Sequence, residues 1–442
     1  MSTLLIGDHP VLQDFPGKSI HSTWPDSLEP GISRCVVAFR EQKGDLLLQD
    51  SETFDRLRSL IRPSGHVVYQ VLIHSPLSAR LYAQADSLYA EFHPFTKEGA
   101  WALKLLGPDG LVQLDGDGIH YEDGRSVHLV ILGATPAAEA LALQAAKICH
   151  FPNYIRDPRL RTRITFIDPE AWQWSRQMIS RHRELFQLSR YSFVDLHTGE
   201  VNNHFPEGED FVDLEWEFVQ ASPWAQPVEE RLRLWCHSPQ MLTTVAFAFG
   251  ENEMNQKALG TYEACLGSSS RSIVVPFDMV RGFADTGMTL RNMGMAVNAI
   301  YENMVEYGKA PLSLDMDDAA RRWEKLSARS KQASMDSAQA LGVKMRSFGL
   351  KEEDGNINYL SEVEHNRWTV ATLLSGMRPA SLAEKSAIEQ DIRLKKSYLE
   401  KGVHYDLRPF AELRTDEHGL DTKLYDQVLS QCIPMIFDAA SR

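Results

Sequence analysis

His128-Leu129-Val130-Ile131-Leu132 runs directly into Gly133-Ala134-Thr135-Pro136-Ala137-Ala138, and the reading of this stretch decides the fold. Five apolar or aromatic-ring residues in a row suit a strand buried on both faces, which is the pattern of a parallel sheet. The glycine allows a sharp turn before a helix. An Ala- and Leu-rich helix follows. Then Arg163-Ile164-Thr165-Phe166-Ile167-Asp168 reads as a second strand. Strand, turn, helix, strand is one βαβ unit of an α/β fold.

Two later segments extend this unit. Thr243-Thr244-Val245-Ala246-Phe247-Ala248-Phe249 is a further buried strand, running into Gly250-Glu251-Asn252-Glu253-Met254-Asn255. Ser272-Ile273-Val274-Val275-Pro276-Phe277 reads as another. A Rossmann-like parallel sheet is therefore expected over residues 127–287. In such units the turn after the first strand holds a pyrophosphate on the free N–H groups of the helix, and an acidic residue ending the second strand binds a ribose. Gly133 and Ala138 fit the first and third positions of the glycine fingerprint. Thr135 occupies the middle one, where a side chain crowds the approach to phosphate. These segments resemble the NAD-binding domain of potassium-uptake regulators. The resemblance implies NAD or another nucleotide as ligand, held by Gly133, Thr135, Ala138, Asp168, Gly250 and Asn255.

Upstream, Leu4-Leu5-Ile6, Cys35-Val36-Val37-Ala38-Phe39 and Val67 to Ile73 alternate with a helical segment at Thr53–Ile61, which reads as a small α/β unit. Between Ser87 and Arg125 the clusters Gly107-Pro108-Asp109-Gly110, Asp115-Gly116-Asp117-Gly118 and Glu122-Asp123-Gly124 are turn signals. They lead to the expectation of a β-meander closing an N-terminal domain, residues 1–126.

After about Met288 the pattern becomes helical, and an all-α domain is expected over 288–442, with a polar break at Lys351 to Asn356. Its most informative segment is Glu364-His365-Asn366-Arg367-Trp368, followed by Gly376-Met377-Arg378 and by His404-Tyr405-Asp406-Leu407-Arg408-Pro409-Phe410. Leu360, Val363, Arg367, Val370 and Leu374 share one helical face, so an apolar seam carries a guanidinium. Glu364 lies within reach of both Arg367 and Trp368. An arginine fork binds phosphate and an indole stacks on a base, whereas Ser361 with Glu364 also fits a capping box.

These segments resemble the RyR domain, the repeat first named in ryanodine receptors and also found in bacterial proteins. Tyr301, Trp323-Glu324-Lys325-Leu326 and Ser334 to Met345 correspond to its first half. The second half continues through Leu413 and Leu424-Tyr425-Asp426. The resemblance implies ligand sensing, in bacterial signalling or defence, with Glu364, His365, Arg367, Trp368, Arg378 and His404 as ligand contacts.

Composition bounds the alternatives. The chain has 442 residues, more than one ordinary core accommodates, and a formal net charge of −14, which argues against general binding to nucleic-acid backbone. A local basic pocket stays compatible with that total. Five scattered cysteines without CxxC spacing suit a reducing cytoplasm. No signal peptide or membrane span is read. HExxH, GxSxG and a Walker A loop are absent, as is a Tyr followed four residues later by Lys, so no catalytic residues are assigned. Asp315, Asp317 and Asp318 read as helix-start residues. The expectation is a cytoplasmic regulatory protein that binds a small nucleotide-type ligand. The alternatives are an NAD(P)-dependent oxidoreductase, or a non-catalytic module that forms a homo-oligomer through the methionines of Met279 to Met304.

Overall fold

The computed structural model describes residues 2–15, 20–21, 31–40, 66–75, 90–206, 210–266, 270–274, 283–348, 356–413 and 431–441, with a few isolated positions between them. The expected helix at Thr53–Ile61, most of the polar break after Lys351, Met279 and Leu424-Tyr425-Asp426 lie outside the described residues.

Two larger, mainly parallel sheets organise the described residues. The N-terminal sheet has five strands in the order β2-β1-β3-β4-β5, with β1 Ser2–Ile6, β2 Ile20–His21, β3 Ile32–Val37, β4 Val67–Leu72 and β5 Ala90–Phe95. Helix α1, Lys97–Leu106, follows β5, capped by Thr96, whose hydroxyl accepts from Gly99 N at 3.0 Å. The expected meander is not formed. Residues 107–125 contain turns and no strand, and Leu111 stands 71% exposed. The glycine turns were legible, but their partners are helical. Asp115 accepts from Arg346 at 2.8 and 2.9 Å, and His120 Nδ1 lies 2.6 Å from Ser347 O. Gly118 adopts φ +107°, and a Cβ there would sit 2.3 Å from Arg346 O. The segment is held by a helix 231 residues away, not by a ladder.

The middle sheet has seven strands in the order β12-β11-β6-β7-β10-β8-β9: β6 Ser126–Leu132, β7 Thr162–Asp168, β8 Arg190–Asp195, β9 Val201–His204, β10 Leu214–Gln220, β11 Met241–Phe247 and β12 Arg271–Val274. All neighbours run parallel except β8 and β9. Helices α2 Pro136–Ile148, α3 Asn153–Arg156, α4 Ala171–Arg181, α5 Arg183–Leu188, α6 Gln226–Cys236 and α7 Asn252–Tyr262 connect them. β6 is central and its residues Val127 to Leu132 are buried, as the unbroken apolar run requires. The strand order reverses direction between β6 and β11, which makes their carboxyl ends the topological switch point. The mixed α/β class with parallel sheets therefore stands.

The C-terminal third is mainly helical: α8 Phe283–Tyr307, α9 Met316–Trp323, α10 Ala328–Gln339, α11 Leu341–Phe348, α12 Asn356–Leu374, α13 Leu382–Gln390, α14 Leu394–Glu400 and α15 Ile433–Ser441, with a two-stranded pair β13 Arg378–Pro379 and β14 Val403–His404. Asp315 caps α9, accepting from Asp317 N at 3.0 Å and Asp318 N at 3.1 Å, the role expected for this cluster. Ala340, Val343, Val370, Leu373, Met377 and Leu407 share one apolar core with Ile131, Phe166, Phe186 and Trp216 of the middle unit. The helical third is thus a layer on the sheet unit. Met293, Met295 and Met304 are buried in a second core among the helices, so these methionines do not form a surface. No described helix is long and apolar enough to cross a membrane.

Candidate ligand site at the carboxyl edge

The strand ends bring the expected crossover residues together. Gly133 has φ +110°, and a Cβ on it would lie 2.6 Å from Ala248 O, so only glycine lets β6 end this close to β11. Thr135 Oγ1 donates to Ala248 O at 2.8 Å and accepts from Ala138 N at 3.2 Å. Its methyl-bearing side chain therefore pins the turn and caps α2 at once. Ala138 is fully buried where the helix meets the sheet. Asp168, ending β7, accepts from Ala134 N at 3.0 Å and Glu170 N at 2.8 Å. Buried Asn255 closes the other side, accepting from Phe249 N at 2.7 Å and donating to Phe249 O at 3.1 Å, beside open space at Gly250. The crossover is present, but Asp168 and Thr135 engage the N–H groups of Ala134 and Ala138, two of those a pyrophosphate would use.

Beside it lies a cleft of about 300 Å³ lined by Trp172, Phe193, Asp195, Asn202, Phe218 and Gln220 among others. Strand register builds it: Gln220 pairs with both Asp168 and Asp195, so these three residues stand in a row at the ends of β7, β10 and β8. Trp172, in the first turn of α4, tilts against Phe193 at 4.8 Å between ring centroids, and the Arg176 guanidinium lies 5.5 Å over the indole. The backbone N–H groups of His197 and Thr198 donate to Asp195 at 2.8 and 3.2 Å and hold its carboxyl below the usual range. An ionised carboxylate at this edge accepts hydrogen bonds from hydroxyl or amino groups, and the indole and phenyl rings offer an apolar wall. The sequence reading missed these residues. The available signals were Gln220 closing the alternating strand Leu214–Gln220 and the Trp172 four positions after Asp168.

The helical residues sit elsewhere. Glu364 and Arg367 are buried and paired, Nε to Oε2 at 2.8 Å and Nη2 to Oε1 at 2.9 Å. Ser337 donates to Glu364 Oε1 at 2.8 Å, and Lys344 Nζ donates to Oε2. Burial opposes ionisation of Glu364, but Arg367 and Lys344 outweigh it and keep the carboxyl well below its ordinary value. Glu364 therefore ties α10, α11 and α12 together. Because α12 begins at Asn356, Ser361 lies inside the helix and is fully buried, so the capping-box reading fails.

The Pro409-Phe410 turn does fold back over the helix. His365 Nε2 lies 2.7 Å from Arg408 O, with the Phe410 ring 5.9 Å from the imidazole. Half-buried Trp368 packs between His365, at 5.5 Å, and His404, edge-on at 4.7 Å. Burial pushes His404 down to about 4. Arg378 forks onto Glu384 at 2.7 and 2.8 Å and remains partly exposed.

A further polar centre went unread in the sequence. Glu91, in the middle of the Ala90-Glu91-Phe92 strand start, is fully buried. It receives Arg291 at 2.7 Å and the Trp323 indole N–H at 2.9 Å, with His93 at 2.6 Å and His66 at 3.2 Å. A lone acidic residue in an apolar run was the available clue. It joins the N-terminal sheet to α8 and α9.

Fold and site together define a two-sheet α/β protein with a helical layer and a cleft at the carboxyl edge of its larger sheet. No family model, curated protein or solved structure matches the chain.

Proposed function

We propose that the chain is a ligand-sensing regulator without chemistry of its own, taking a nucleoside-bearing small molecule at the carboxyl edge of the seven-stranded sheet. The observation that carries this reading is the row Asp168, Gln220, Asp195 beside the Trp172 cleft. Acceptors in line suit the hydroxyls of a ribose, and an indole suits a base. Parallel α/β sheets bind ligands at this edge.

The sensing part rests on packing. Leu185 and Phe186 of α5, which follows the Trp172 helix, share a core with Val370 and Leu373 of α12. A ligand that shifts α4 and α5 then bears on the helix that carries Glu364 and Trp368. A cytoplasmic setting agrees with five cysteines that are all free and buried. The oxidoreductase reading is less well supported, since the Gly133 turn already satisfies the N–H groups of Ala134 and Ala138 internally. Thermal-shift measurements with NAD, ATP, adenosine and cyclic oligonucleotides test the proposal. A rise in melting temperature with ribose-containing ligands supports it, and no response to any of them overturns it.

A further inference from the structure

The seven-stranded sheet ends on a strand with one side of its backbone unused. β9, Val201–His204, lies at the edge of the sheet and pairs with β8 alone among the described residues. Its register fixes which groups are spent. Asp195 N donates to Glu200 O at 2.9 Å, one step beyond the paired Val194 and Val201. Bonded and non-bonded positions alternate along an antiparallel pair, so Asn202 and His204 turn their main-chain groups towards β8. Val201, Asn203 and Phe205 turn theirs outward. The Arg190 guanidinium, 5.6 Å over the Phe205 ring, shows that the same register runs on to Phe205.

The side chains of these three residues share one face of the strand. Asn203 is exposed, Val201 is 53% exposed and Phe205 62%. Sheet edges are ordinarily guarded by charged residues, proline or a bulge. Val201-Asn202-Asn203-His204-Phe205 has no acidic or basic residue apart from a histidine, and no proline. Pro206 follows, but the N–H it lacks would have faced β8.

The edge is its own complement. An added antiparallel strand bonds at outward residues, so Val201, Asn203 and Phe205 must meet outward residues of the partner. Two copies related by a two-fold axis through Asn203 satisfy this at all three positions: Asn203 faces Asn203, and each Val201 faces Phe205 of the second copy. A shift of two residues leaves one of the three unmatched. The same register sets Asn202 opposite His204 and brings Glu200 diagonal to His204 of the second copy, an acid beside an imidazole. We propose that β9 pairs with β9 of a second copy of this chain, joining two seven-stranded sheets into one. Asn202 also lines the Trp172 cleft, which puts His204 of the second copy at the rim of that cleft. The pairing itself does not rest on the cleft taking a ligand. A single strand pair is a small interface, so the dimer forms and dissociates with concentration.

Sedimentation velocity of the full chain over a concentration series tests it. The unaltered protein is expected to pass from monomer to dimer. Val201→Lys/Phe205→Lys sets like charges opposite each other at both ends of the strand pair and is expected to raise the dimer dissociation constant at least about ten-fold. Val201→Glu/Phe205→Lys sets opposite charges at the same two places and is expected to restore dimerisation. Both variants lose the Val–Phe contact, so the difference between them reports the register and not the loss of apolar surface. Trp172→Ala is expected to dimerise as the unaltered protein does, which separates this test from that of the cleft. A monomer at every concentration, a dimer as strong in Val201→Lys/Phe205→Lys as in the unaltered protein, or no recovery in Val201→Glu/Phe205→Lys overturns the proposal.

Discussion

Arg367 and Glu364, one turn apart on α12, form a two-point ion pair that is sealed from solvent. Removing one partner strands the other in the interior. Arg367→Met is expected to destabilise the fold by roughly 3–5 kcal/mol, read as a lower midpoint in urea denaturation. The carboxyl's folded value is depressed, so its contribution is present above the unfolded value and is lost as pH falls through the folded one. The variant should therefore differ most from the unaltered protein near neutral pH and least in strong acid. A midpoint that hardly moves at pH 7 would contradict the role assigned to this pair.

The Glu91 centre is expected to behave similarly, with a sharper test available. Trp323→Phe keeps an aromatic ring but removes the N–H that reaches Glu91 at 2.9 Å, together with part of a fully buried indole. Loss of one donor to a buried charge costs on the order of 1–3 kcal/mol. Arg291→Met removes the strongest partner and should cost more. Hydrogen exchange offers the readout: amides of β5 and α8 should lose protection together, and loss confined to one of them would show that Glu91 does not join the two.

At the crossover, Gly133→Ala forces a side chain onto a φ of +110° and against Ala248 O. A penalty of about 1–3 kcal/mol from backbone strain alone is expected, with further cost from the contact, measured as a fall in melting temperature. Thr135→Ala, which removes only the cap and the bond to Ala248, should cost about 1 kcal/mol. Equal effects would mean that the close approach of β6 to β11 is not the constraint.

His404 supplies a pH signature. Its folded value, about 4, lies below the ordinary 6.5, so the unfolded chain binds the proton first. Stability is then expected to fall as pH drops from the ordinary value towards the folded one, by about 1.4 kcal/mol per pH unit for a single proton. Denaturation at a series of pH values should show a shallower slope over that window in His404→Phe. An unchanged slope would indicate that the imidazole is already charged in the folded protein.

The parts of the fold readable in the sequence were those set by neighbours. The β6 run, the turn at Gly133 and the Asp315 cap depend on residues within a few positions, and all three are present. The turns at Gly116 and Gly118 were also readable, but the strands expected between them were not formed, because Asp115 and His120 find their partners on α11. The cleft was not readable for the same reason. Asp168, Gln220 and Asp195 are brought into one row by strand register, and nothing local in the sequence states that register. Arg367 illustrates the remaining case: its place on an apolar seam was legible, whereas the partners that bury it, Glu364 excepted, come from other helices.

The central claim concerns the cleft under Trp172, and calorimetric titration of the unaltered protein and Trp172→Ala with adenosine, ADP and NAD tests it most directly. A ribose-containing ligand is expected to bind, and about ten-fold or more weakly once the stacking indole is removed, with the free variant still unfolding cooperatively. Binding of equal strength in the two proteins, or none in either, would contradict it.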